Sequence, residues 1–108
     1  MNEQRHAETK RLDPADYPML RDFLPAYLHQ DFGEEYGSVA EAVKGFLSEA
    51  SGDEILQVKE EWKLFRRSFA FRPFGEIQAA LGHLGSAWVP QNEAELTEVD
   101  EVLERAET

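Results

Sequence analysis

His29 and Asp31, in the string Tyr27-Leu28-His29-Gln30-Asp31-Phe32, are the polar pair best placed to do chemistry in this chain. An imidazole beside a carboxylate can share a metal ion or pass a proton. Two residues apart on a helix, however, they point to different faces, and one ion does not easily take both. The other histidines are His6 and His83, so a metal triad needs distant carboxylates. With no cysteine in the sequence, thiol chemistry and Cys-ligated zinc or iron–sulfur sites are excluded. A calcium loop opening at Asp31 needs Gly at its sixth position and Glu at its twelfth, where Tyr36 and Ala42 stand. Asp31-Phe32-Gly33 spells a kinase tripeptide without the catalytic or glycine-rich loops that give it meaning. Gly82-His83-Leu84-Gly85 has G-x-x-G spacing, but in an acidic chain with no strands around it. No G-x-S-x-G, P-loop or H-E-x-x-H occurs. No catalytic residue, metal site or cofactor is assigned, and the favoured role of His29, Gln30 and Asp31 is to end a helix and fix the Phe32–Gly37 turn.

Recognition is the chemistry left. Glu34, Glu35 and Tyr36, with Asp31 just before them, make an acidic loop carrying an aromatic side chain, the composition of a surface that grips a basic protein. The alternative is that Tyr36 folds back onto the core. A second acidic stretch runs from Glu93 to Thr108, with seven acids against Arg105 alone, a net of −6. Within it Glu98, Asp100, Glu101 and Glu104 form the second expected contact patch. The window Lys59 to Arg72 has the opposite sign, a net of +3. Either its basic face docks on the acidic C-terminal helix inside the monomer, or that helix offers its acids to a basic partner.

Whole-chain charge agrees with a basic partner. Twenty-two acidic and 11 basic residues give −11 over 108 residues, which opposes binding to nucleic acid or an anionic membrane. No run approaches the ~18 apolar residues of a spanning helix. Residues 1–16 are polar, lack the apolar stretch of a secretory signal and are expected to form a flexible tail on a cytoplasmic protein. Hydrophobic residues at 42% and aromatics at 11% suffice for one core, so residues 17–108 are expected to form one domain.

The positioning elements are helices. Leu20, Phe23, Leu24, Tyr27 and Leu28 make one face over Pro18–Gln30, with Asp16 as the expected cap and a kink or break expected at Pro25. Val39, Ala42, Val43, Phe46 and Leu47 make another over Val39–Glu49, behind a Ser38–Glu41 capping box. Ile55, Val58, Trp62, Phe65 and Phe69 form a heptad-like seam from Gly52, behind Ser51 and Glu54. A fourth helix covers about Pro73–Leu84, and a fifth Glu93–Glu107, capped by Asn92 with Leu96, Val99, Leu103 and Ala106 inward. Nothing alternates with period 2 over a useful length. The expected fold is all-α, a compact single-domain bundle of four to five short helices. The seam permits a weak homodimer or serves the core of a monomer.

Tyr17-Pro18-Met19-Leu20-Arg21-Asp22-Phe23-Leu24, Ala26-Tyr27-Leu28-His29-Gln30-Asp31-Phe32, Tyr36-Gly37-Ser38, Glu41-Ala42-Val43 and Phe46-Leu47 together resemble the immunity proteins of contact-dependent growth inhibition. The N-terminal half of that family reads Y-P-x-L-x-x-F-L-x-x-Y-x-H-Q-D-W, followed by a short loop and an amphipathic helix ending F-L. The likeness covers Tyr17 to Leu47, with Phe32 where the family usually has Trp and Pro25 where it has a small residue. It implies a small helical protein without enzyme activity that binds and neutralises the toxic C-terminal domain of a contact-delivered bacterial effector. Three other readings stay open: an adaptor or regulatory module for an endogenous basic protein, a nucleic-acid mimic built on the C-terminal helix, and a metal-assisted enzyme using His29.

Overall fold

The computed structural model describes residues 12–106. Six α-helices follow a short 3-10 turn, Pro14–Asp16: α1 (Pro18–Tyr27), α2 (Phe32–Tyr36), α3 (Val39–Glu49), α4 (Gly52–Ser68), α5 (Phe74–His83) and α6 (Glu93–Arg105). Most of the expected tail, residues 1–11, lies outside the described part. Residues 14–16 form the turn, with Asp13 capping it by accepting from the Ala15 N–H at 3.0 Å, and Leu12 packs on the core.

The apolar periodicities are the faces that become buried. Leu20, Leu24, Leu28, Val43, Val58, Phe65, Leu81 and Leu96 are each 0% exposed, and all five inward helix faces meet in one core. Ring contacts divide this core into two aromatic groups. Phe65 lies 5.5 Å from Trp62, 4.9 Å from Phe69 and 5.9 Å from Tyr17, while Phe23 and Phe46 are 4.8 Å apart with Tyr27 against both. Offset and edge-on pairs of this kind add to the area they bury.

Helix starts follow their caps. The Ser51–Glu54 capping box is complete, with both reciprocal bonds present at 3.2 and 3.0 Å. Asn92 accepts from the Glu95 N–H at 3.1 Å. The Ser38 box is half made: the hydroxyl accepts from the Glu41 N–H, but the Glu41 carboxylate turns to Lys44 at 3.2 Å instead.

Two expectations need correction at α1. Asp16 does not cap it, and neither does the side chain at the cap position, Tyr17. The carboxylate of Glu61, buried on α4, accepts from the backbone N–H groups of Met19 at 3.2 Å and Leu20 at 2.9 Å. Donors left bare at a helix start are thus satisfied from a helix some forty residues away, with negative charge at the positive end of the dipole. Of the two outcomes expected at Pro25, the break into two helices does not occur: Pro25 sits in the last turn, where its missing N–H costs one bond to the Arg21 carbonyl, and α1 ends at Tyr27. The Pro25 ring then packs against Gly85, whose φ of +100° and missing Cβ both matter: a Cβ there would lie 3.3 Å from the ring.

Between α5 and α6 a strap of residues 86–91 has no regular structure. The Leu28 carbonyl, left over at the end of α1, accepts from Ala87 and Trp88 N–H at 3.0 and 3.2 Å. The Ser86 hydroxyl donates to the Trp88 carbonyl at 2.8 Å, and the Gln78 amide donates to Pro90 at 2.7 Å. The strap is therefore a fixed part of the bundle.

The three tyrosines give a direct test of this packing. Burial raises the Tyr17 and Tyr36 hydroxyls above the ordinary 10.0, and a hydrogen bond to Glu49 pushes Tyr27 up to about 12. A raised folded value means the neutral phenol is favoured in the fold, so this stabilisation is complete below pH 10 and lost as pH climbs through the folded values. An ultraviolet titration is expected to show less than half of the tyrosine ionised at pH 10.0, with Tyr27 the last to ionise, toward pH 12, together with loss of helix. Half-ionised tyrosine at pH 10 with native circular dichroism would contradict it.

Candidate functional site

The acidic segment after α1 is not a loop but one turn of helix, α2. Its start is held by His29. The ring Nδ1 accepts from the Asp31 N–H at 3.1 Å, which in the neutral ring leaves the proton on Nε2 to donate to Glu35 at 2.9 Å. Backbone bonds from Glu34 and Glu35 N–H to the Asp31 carbonyl continue the turn, and Gly37, at φ +91°, closes it by donating to Gly33. His29 acts here on the backbone and on Glu35, and among the described residues no group of three His, Cys, Asp or Glu is arranged to hold a metal ion.

This turn leaves Asp31, Glu34 and Glu35 exposed. Tyr36 instead lies half-buried, 6.3 Å from Tyr27, with its ring edge where a Cβ on Gly45 would be only 2.8 Å away. The aromatic therefore folds back onto α3, and the carboxylates stand beside it.

A groove of about 560 Å³ opens next to α2. Phe32 and Val39, Trp88 and Val89 of the strap, and Glu95 and Glu98 of α6 are among its lining residues. No basic side chain lines it, and Val89 is 48% exposed at its lip. Glu95 also holds the strap, accepting from the Trp88 indole N–H at 3.1 Å and the Gln91 N–H at 3.2 Å. The fold thus sets Glu98 beside the groove that α2 borders.

The remaining α6 acids face elsewhere. Asp100 accepts from the Trp62 indole at 2.7 Å and from Arg66 Nε and Nη2, both at 3.0 Å. Arg66 also reaches Glu93 at 2.8 Å, Lys63 lies 3.9 Å from Glu104, and Lys59 donates to the Ala106 carbonyl at 3.1 Å. Of the two arrangements open to the basic window, docking inside the monomer is the one present. Burial lowers the Arg66 proton affinity, and its bonds to Asp100 and Glu93 more than offset this, leaving it raised. Glu98 and Glu101 are exposed and make no ion pair among the described residues. Of the eight expected contact residues, Glu98 lines this groove, Asp31, Glu34 and Glu35 are exposed at or on α2, whose Phe32 and Gly33 line it, Tyr36 and Asp100 serve internal packing, and Glu101 and Glu104 lie farther along α6.

Glu61 escaped the sequence reading although a signal existed. Val58, Glu61, Trp62 and Phe65 follow helical i, i+3, i+4, i+7 spacing, which places a carboxylate on an apolar face, where burial demands a partner.

Among the described residues no helix is long and apolar enough to cross a membrane. Comparison with known families gives a match over residues 16–69 to the model described as CdiI immunity protein. No curated protein and no solved structure matches the chain.

Proposed function

Because the chain belongs to the CdiI immunity protein family, we propose that it neutralises the toxic C-terminal domain of a contact-delivered effector inside the cell, by seating a basic face of that domain on the acidic groove between α2, the strap and α6. The observation that carries this reading is the groove itself: apolar lining from Phe32, Val39 and Val89, Glu95 and Glu98 beside it, and no cation among its lining residues. A lining of this kind supplies desolvated contact, while the acids supply steering and register. At −11 the chain attracts a cationic partner from a distance, with an on-rate that falls as salt rises. Neutralisation of this kind needs only a tight surface over the toxin and no reaction.

Glu34→Lys with Glu98→Lys is the informative pair, since neither side chain makes a hydrogen bond or ion pair within the described chain. Calorimetry with the toxin domain encoded beside this gene is expected to show at least a tenfold loss of affinity, about 1.4 kcal/mol, together with weaker wild-type binding at high salt. Affinity unchanged within about twofold, ~0.4 kcal/mol, would remove the groove from the interface.

A further inference from the structure

A second, smaller cleft, of about 240 Å³, lies where α1, α3 and the start of α4 meet. Its floor is apolar: Met19, Phe23, Tyr27 and Phe46. Its rim carries Asp22, Glu49 and Glu54, and no lysine or arginine lines it. None of the three carboxylates is in an ion pair among the described residues. Asp22 has no hydrogen-bond partner there, Glu49 accepts only the Tyr27 hydroxyl, and Glu54 closes the capping box with one oxygen. The groove along α4 differs: its lysines and Arg66 are already answered by Glu104, Asp100, Glu93 and the Ala106 carbonyl.

Charge complementarity selects what fills the smaller cleft. A hard metal ion gains nothing from a floor of aromatic rings and thioether, and no three of these carboxylates are arranged around a common point. A long aliphatic stem ending in a cation suits both parts, since lysine and arginine lay apolar stems on apolar surface and keep the charge at the edge. Phenylalanine and tyrosine rings add attraction for the cation. We propose that this cleft is the receptor for a lysine or arginine side chain of the toxin domain, its stem on Phe23, Phe46 and Met19 and its charged head among Asp22, Glu49 and Glu54. This rests on the immunity reading above and adds a specific anchor apart from the acidic groove. The raised Tyr27 hydroxyl accords with it, as the Glu49 hydrogen bond is the main cause and the Glu54 charge adds to it.

The test compares calorimetric binding of the adjacent-gene toxin domain to the wild type, to Asp22→Asn with Glu49→Gln, and to Asp53→Asn with Glu60→Gln. The last pair makes the same charge change on exposed residues outside the cleft. The cleft variant is expected to bind at least tenfold more weakly than the control variant. Its melting temperature is expected to stay unchanged, because the amide oxygen introduced by Glu49→Gln still accepts the Tyr27 hydroxyl. Equal affinities for the two variants overturn the anchor and leave the acidic groove standing. Should the wild type bind no toxin domain, the immunity reading falls, and the cleft is judged by nuclear magnetic resonance titration with N-acetyl-arginine amide. Saturable shifts at the amides of Asp22, Tyr27 and Glu49, absent with the citrulline analogue, sustain a cationic side chain as occupant. Shifts absent, or spread evenly over all acidic surfaces, overturn it.

Discussion

Glu61→Leu is expected to destabilise the protein by about 2–4 kcal/mol in urea unfolding, although it keeps the side-chain volume. The substitution leaves the Met19 and Leu20 N–H groups without acceptors in a site where Glu61 is only 7% exposed. It also removes a negative charge from the start of α1, worth up to ~1 kcal/mol on its own, and strips the Gln57 amide of its partner at 3.0 Å. Leucine returns some hydrophobic gain, which is why the range stays below the sum of these losses. Glu61→Gln keeps one acceptor oxygen and is expected to cost about 1 kcal/mol. If leucine costs less than about 0.5 kcal/mol, the remote cap contributes nothing and α1 is held by its apolar face alone.

Asp100→Ala is expected to cost about 2–3 kcal/mol, because it orphans two donors at once. The Arg66 side chain is 22% exposed and the Trp62 residue 3% exposed, so neither regains full hydration. The effect belongs to the missing partners more than to the pair's intrinsic worth: Arg66→Met combined with Asp100→Leu is expected to recover the part of the loss that comes from the stranded guanidinium, while the Trp62 indole N–H stays without its acceptor. Lys63→Ala, by contrast, breaks only a 3.9 Å contact between exposed groups and should fall below about 0.5 kcal/mol. A double-mutant cycle on Arg66 and Asp100 measures the coupling, and additive single losses would refute it. An affinity change in an Asp100 variant must accordingly be read beside its stability.

The sequence made the helices legible where local signals agreed. Ser51 with Glu54, and Asn92 before an apolar stripe, fix their helix starts through neighbours three residues away. The buried faces were legible for the same reason, since 3.6-residue spacing is a property of the chain itself. The Glu61 cap was not, because its partners are 41 and 42 residues off and only packing of α1 on α4 brings them together. The α2 turn leaves no signature in the sequence, since five residues hold too little periodicity to register and what stabilises it, the His29 ring, lies outside it. In the candidate site, residue type pointed to Asp31, Glu34 and Glu35. The separation of Glu98 from Asp100 came only from knowing which side of α6 meets α4.

The bond from the Leu28 carbonyl to Ala87 and Trp88 bears on whether the molecule can be divided. Residues 16–69, which carry the family match, stop short of the strap and of α6, yet α3 packs more extensively against α6 than against any other helix. A fragment ending at residue 69 would keep its recognisable signature and lose the lid over its own interior. It is expected to expose the apolar face of α3 that α6 covers, and so to be less stable than the parent. The recognisable half and the unrecognised half thus share one hydrophobic core.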